Sequence, residues 1–505
     1  MNVMPKTISI ISVIISLTLL SFLFDGAFTY MSGDDAYAIT AIEKKYDSSL
    51  YHDDLQVASM VKSYFTAYYE CLYFWGNRIG IKSACIIFQL ISRLLLYSSL
   101  LFLGYSLFKS FNIGLLTAFM FITHKTVLAW GNITATTLHP QFLALPVLLY
   151  GFAFLFRGNM LTSSIIIAAS IYIHATTAIW GMIIFPFCWL ALEGYKNMKK
   201  SIISASAAVI ILLPFAMLYF SMFPVGKGIY DVNLIEALAR WRLAYHIFPS
   251  YWPIYQTLLK IIDFSGFAVF GYIGVRNNAR LRNLLIAIIS GTLLLWTAGF
   301  IMSEIHYTPL INKLQFIRAS FIEYILLSVF LANYIWTKMS QSYSENKFSN
   351  LALYIFASVF LCLPGVGKMQ FAGLFLLTAN LFLNLKYLDN LMSRIYKNLL
   401  FCCKKLEKQH VSNLLFLVVL ILITIIFFSA NIKTLEPKLK EAALWANSNT
   451  AKQDLFITHP TLAEGFRYWA KRPQLPDWKD GGIANYDYAY GEALWIYSGN
   501  GRKPA

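Results

Sequence analysis

Apolar runs of membrane-spanning length recur along this chain, and no other feature restricts its fold as strongly. The first, TISIISVIISLTLLSFLF (residues 7–24), carries no charge. A bilayer's hydrocarbon core is ~30 Å thick, so a helix needs about 20 apolar residues to cross it. Backbone amides find no water there, which leaves helices and closed barrels as the only spanning structures. These runs are continuous, without the alternation of barrel strands, so they read as helices. Charged residues make up 13% of the 505-residue chain, against about 25% in soluble domains. The expected fold is an all-α polytopic membrane protein.

Thirteen spans are expected, over 8–28, 83–107, 113–130, 139–156, 160–175, 177–193, 201–222, 257–275, 283–302, 318–336, 350–363, 366–385 and 412–430. The 160–193 and 350–385 stretches each read as two short helices or one long kinked element. The N-terminal run is signal-like but lacks a small-x-small cleavage site, and is read as a retained first span. Lys and Arg collect in cytoplasmic loops of membrane proteins. The basic clusters EGYKNMKK (193–200), RNNARLRN (276–283), 337–349 and 386–411 alternate to one side. The expected topology is therefore N-in and C-out. It makes residues 1–430 a transmembrane domain with external loops at 29–82 and 223–256, and 431–505 a small external C-terminal segment. The net charge of +16 belongs to those inner loops, and no nucleic-acid partner is expected. Six cysteines without CxxC spacing indicate neither a disulfide framework nor a zinc site.

The external pieces hold the candidate chemistry. MSGDDAY (31–37) sets Asp34 beside Asp35 where the chain leaves the first span, and YHDDLQV sets Asp53 beside Asp54 further on. Paired carboxylates at a sharp change of polarity can have shifted pKa values or hold a divalent cation. A solvated loop is the plainer account of the same residues. TTLHPQF puts His139 at the head of the fourth span, and YIHATT puts His174 at the outer end of the fifth. Both suit substrate binding or proton relay, or a hydrogen bond to a neighbouring helix. In RWRLAYHIFPSYWP (240–253), Arg240 and His246 interleave with aromatics, as in a phosphate or sugar site or an interfacial helix. Arg318, in LINKLQFIRASF, stands just inside the apolar zone, where an Arg is costly unless it pairs or meets an anion. Pairing with Glu304 or Glu323 is its structural alternative.

These pieces together resemble the GT-C superfamily of polytopic membrane glycosyltransferases that use polyprenyl-phosphate sugars. The matching residues are Asp34 and Asp35 after the first span, and Trp445, Asn449 and Thr450 in LWANSNT, which is similar to the W-x-x-x-N-T entry to the family's external domain. The resemblance implies that Asp34 and Asp35 supply the general base toward the acceptor or help bind a metal, Mg or Mn. It implies that Arg318 holds the phosphate of a lipid-linked sugar donor, with Asp53, Asp54, His139, His174, Arg240 and His246 as further substrate-binding candidates. Membrane lipids are the other expected partner, and a bacterial inner membrane the expected location. The chain departs from the family's pattern in GNITATTLHP (131–140), which has no acid where metal-using members often carry a second acidic motif.

Three other functions fit parts of the same sequence. A transporter or flippase would use carboxylates and histidines inside spans to couple ions. An O-antigen polymerase or ligase shares the lipid-linked donor, but relies on a large late external loop. A non-catalytic scaffold would need neither Asp34 nor Asp35 beyond folding.

Overall fold

The apolar runs fold as helices in the computed structural model, which describes residues 7–25, 34–63, 66–123, 125–130, 132–133, 138–193, 198–222, 232–345, 347–363, 368–382, 437–458 and 465–475. The first span is α1 (Thr7–Asp25). The stretch expected as the first external loop contains α2 (Asp34–Tyr46), α3 (Leu55–Ser63) and α4 (Ala67–Ile79). Gly80, at φ 83, turns the chain into α5 (Ile81–Phe108). Then follow α6 (Phe111–Met120), α7 (Pro140–Phe156), α8 (Met160–Ala169), α9 (Ala175–Glu193) and α10 (Met198–Met222). Next come α11 (Val232–Arg242) and α12 (Ala244–Ile247). Beyond them lie α13 (Ile254–Val275), α14 (Ala279–Phe300), α15 (Leu310–Leu314), α16 (Ser320–Ser344), α17 (Phe348–Cys362) and α18 (Lys368–Phe382). The C-terminal segment contributes α19 (Pro437–Asn449) and α20 (Phe466–Ala470).

Six stretches among the described residues are long and apolar enough to cross a membrane: Ile81–Phe108, Ala175–Leu192, Met198–Ser221, Ile254–Val275, Ala279–Ile305 and Leu310–Ser344. Shorter apolar helices, Thr7–Phe22, Phe111–Met120, Pro140–Phe156, Met160–Tyr172 and Ser349–Cys362, fill in around them. This is an integral membrane protein built of helices. Each expected span from 8–28 to 366–385 contains a helix, while the one expected at 412–430 lies outside the described residues. Both ambiguous stretches resolve into two helices: α8 and α9 part at a 3-10 turn, Ser170–Tyr172, and α17 and α18 are separate.

The span expected over 113–130 is shorter than its apolar run, because α6 stops at Met120. Lys125 explains the stop. Its ammonium is buried and donates to the carbonyl oxygens of Leu361 at 2.9 Å and Leu363 at 2.6 Å. These carbonyls belong to the C-terminal end of α17, where orphan acceptors and the helix dipole favour a cation. A continuous α6 could not place Lys125 there. The strand-like run DLFIT also differs: it supplies one isolated parallel bridge, Phe456 with Gln474.

Helix α16 is the central post. From Ser320 to Ile335 every residue is buried, the polar Glu323 and Asn333 among them. Helix α10 is its opposite, presenting Ile202, Val209, Ile210, Leu213 and Met217 outward, as a lipid-facing helix does. Helices α5 and α6 approach so closely that a Cβ on Gly104 would lie 2.3 Å from the Gly114 nitrogen, which requires glycine on both.

Candidate functional site

Two histidines begin two helices, and the same ring nitrogen does the work in each. His139 precedes α7, and its Nδ1 accepts the backbone N–H of Gln141 at 3.1 Å. His174 precedes α9, and its Nδ1 accepts the backbone N–H of Thr177 at 3.3 Å, with the Thr177 hydroxyl at 2.7 Å. Capping satisfies amides that a helix start leaves without partners. It also fixes the tautomer, because an Nδ1 that accepts leaves the proton on Nε2. The two rings meet edge to face with centroids 5.3 Å apart. Burial, the His139 imidazole and the Arg318 guanidinium, in that order, hold His174 well below its ordinary value and so neutral.

Arg318 completes this group. It lies in a 3-10 turn, Phe316–Ala319, just before α16. Its Nη1 donates to Gln315 Oε1 at 2.7 Å and its Nη2 to Gln141 Oε1 at 3.3 Å, in the first turn of α7. Left-handed backbone at Gln315, φ 42, lets α15 end and the 3-10 turn begin in one residue. The end of α15, just before this turn, is tied to α9 by Trp180 Nε1 on the Leu314 carbonyl at 2.7 Å and the Thr176 hydroxyl on the Lys313 carbonyl at 3.0 Å. A guanidinium, two neutral imidazoles and the positive ends of α7 and α9 thus share one place. Such a grouping favours an anion with oxygen acceptors, a phosphate above all.

Asp34 and Asp35 form the first turn of α2, and their side chains lie outside the described residues. Their helix is nevertheless seated beside the histidines. Ala36, Ile39 and Ile42 of α2 pack in one apolar cluster with Leu138, Leu143 and Ile173, which flank His139 and His174 in sequence. The opposite side of α2 packs through Tyr37 and Ala41 against Met60 and Leu238, from α3 and α11.

The remaining candidates fall elsewhere. Asp54 is fully buried. Its Oδ1 caps α3 by accepting Val57 N at 3.0 Å, and its Oδ2 accepts Arg467 Nε at 2.7 Å and Gln474 N at 3.0 Å. Asp54, a substrate-binding candidate from sequence, instead holds the C-terminal segment. Asp53 is exposed, at φ 59, beside His52. Arg240 donates to Glu236 at 2.8 Å and covers the Phe248 ring at 4.2 Å. His246 Nδ1 lies 3.0 Å from the Ala129 carbonyl oxygen. The structure thus brings His139, His174 and Arg318 together, and gives Arg240 and His246 partners elsewhere, at Glu236 and Ala129.

Three residues of the site were not legible beforehand. Gln141 and Gln315 hold the guanidinium, and Thr177 joins the His174 cap. A histidine one position before Pro at a helix start, as in LHPQ, is a readable cap signal, because Pro suits the first helical position. No such signal marks the glutamines. Among the described residues, no group of three or more His, Cys, Asp or Glu side chains could hold a metal ion.

The family model of a domain of unknown function, DUF6798, matches residues 437–485. No curated protein matches the chain. Among solved structures, ArnT from Cupriavidus metallidurans bound to undecaprenyl phosphate aligns at 11% identity over 99% of this chain and 92% of that one, with a TM-score of 0.49. The apo state of the same protein aligns at 11% identity over 98% and 91%, with a TM-score of 0.45.

Proposed function

We propose that this chain is a membrane glycosyltransferase of GT-C type, which moves a sugar from a polyprenyl-phosphate-linked donor to a glycan, lipid or protein acceptor. The observation that supports it is the grouping of Arg318 with the two histidine-capped helix starts, beside the helix that Asp34 and Asp35 begin. Arg318 and the Nε2–H groups of His139 and His174 would receive the donor's phosphate, whose negative charge grows as the sugar–oxygen bond breaks. Asp34 or Asp35 would accept the proton of the acceptor hydroxyl as it attacks the sugar carbon. General base catalysis of this kind contributes typically ~10²–10⁴-fold. A divalent cation, Mg or Mn, if bound, would be held by Asp34 and Asp35 and would polarise the donor phosphate. Binding one is the alternative use of the Asp34/Asp35 pair, and EDTA treatment tests it. The reading includes N-in, C-out orientation, with the site on the outer face of a bacterial inner membrane.

Asp34→Asn and Asp35→Asn, expressed at wild-type membrane levels in a deletion background, test it. Loss of one glycan with accumulation of its lipid-linked donor is the expected outcome. Full complementation by both variants would remove the catalytic role.

A transporter or flippase is the second reading, and one observation favours it. Lys260 and Asp263 form a buried pair 3.7 Å apart within the span Ile254–Val275, and the Glu323 carboxylate is buried in the first turn of α16. Ionisable groups inside spans are costly and commonly functional.

A further inference from the structure

The C-terminal segment is fastened to the first external loop from three directions. Arg467 forms the buried pair with Asp54, and its Nη2 also donates to the Gln474 carbonyl at 3.1 Å. Lys471 reaches Glu43 on α2, with Nζ 2.6 Å from Oε2, the oxygen that also accepts the Tyr51 hydroxyl at 2.6 Å. Tyr468 enters the apolar cluster of Ala36, Ile39 and Leu138, while the Lys471 ammonium lies 4.0 Å from the centroid of its ring. Outside these, Lys452 donates to Ser49 at 2.9 Å and stands 3.9 Å from Asp47. The segment's own core, Ala443, Ala446, Phe466 and Ala470, is small. Arg472 ties the segment together internally, donating to the Asn447 carbonyl at 2.7 Å, whereas Arg467, Lys471 and Lys452 reach the loop.

A buried ion pair is weak evidence for stability, because desolvation offsets its attraction. What such a pair does impose is geometry, since its partners tolerate little displacement. Glu43 stands nine residues after Asp34 on the same helix, about 13 Å along its axis at 1.5 Å per residue. Lys471 therefore grips one end of α2 while the other end carries the adjacent aspartates. Tyr468 contacts the cluster that joins this helix to Leu138, the neighbour of His139.

The geometry points to the C-terminal segment as the element that sets α2, and with it Asp34 and Asp35, against the His139, His174 and Arg318 group, with Lys471 and Tyr468 as positioning residues. This rests on the glycosyltransferase reading. The segment so assigned includes the part of the DUF6798 match over residues 437–458 and 465–475.

The test uses the full chain at matched membrane levels, with Lys471→Glu, Glu43→Lys and the charge-swapped double variant. A misplacement of about 1 Å can cost about 10²-fold in rate, so product glycan should fall by that order in each single variant. Binding of undecaprenyl phosphate to the purified protein in nanodiscs should stay within about twofold, and the swap should restore most of the product. Rescue with unchanged probe binding is the signature of positioning, which general unfolding would not give. Wild-type product from Lys471→Glu, or loss of probe binding together with product and no rescue by the swap, would overturn the assignment. Asp34→Asn and Asp35→Asn run alongside. If they abolish product while Lys471→Glu does not, only the positioning role falls. If neither changes product, the transferase reading falls with it.

Discussion

Arg467 and Asp54 stand 413 positions apart in sequence, yet Nε and Oδ2 are 2.7 Å apart and both side chains are buried. This pair closes the chain on itself outside the spans, joining the helical first loop to the last described segment. Removing one partner of a buried ion pair typically costs ~3–5 kcal/mol, because the other charge is left without compensation. Arg467→Ala should therefore release residues 437–475 to protease at concentrations that leave the wild type intact. Arg467→Met with Asp54→Leu, which removes both charges, should be cut more slowly than Arg467→Ala, though it loses the α3 cap.

Arg318→Lys keeps the charge and loses the fork. A lysine's single nitrogen cannot reproduce the planar fork whose two terminal nitrogens reach Gln315 and Gln141 at 2.7 and 3.3 Å. Affinity for undecaprenyl phosphate should fall about tenfold, the equivalent of ~1.4 kcal/mol, with the fold intact by thermal unfolding. Unchanged affinity would remove Arg318 from the phosphate site.

The histidine caps predict acid sensitivity. His174 is held below its ordinary value in the folded chain, so the unfolded chain takes up its proton first as pH falls. Stability is then fully present above about pH 6.5, the usual imidazole value, and is lost progressively below it. Protonating Nδ1 also removes the acceptor for Thr177 N. The melting temperature should drop between pH 7 and pH 5. His174→Asn, which can cap without titrating, should flatten that slope.

Lys125→Met tests the end of α6. The substitution preserves length and apolar packing but withdraws the donor from the Leu361 and Leu363 carbonyls. Losing the donor to the Leu361 carbonyl costs ~1–3 kcal/mol, while the Leu363 carbonyl keeps Gln370 Nε2 at 3.3 Å. A lower melting temperature is expected, with cysteine accessibility at Cys362, which neighbours both carbonyls, as the local readout.

Local chemistry was enough for much of this. The apolar runs dictate helices because the bilayer leaves a backbone no other arrangement, and each run needs only its own residues to say so. The α19 helix over Pro437–Asn449 is legible from the same short-range pattern. The helical character of the first external loop was hidden, since α2 and α3 bury small or mixed faces against each other and α11. That His139 meets His174, that Arg318 lies against Gln141, and that Asp54 and Glu43 serve the C-terminal segment was decided only when the helices packed. Helix formation is set by neighbours within four residues, whereas these contacts join residues 35 to 428 positions apart, whose proximity depends on how every intervening span is stacked.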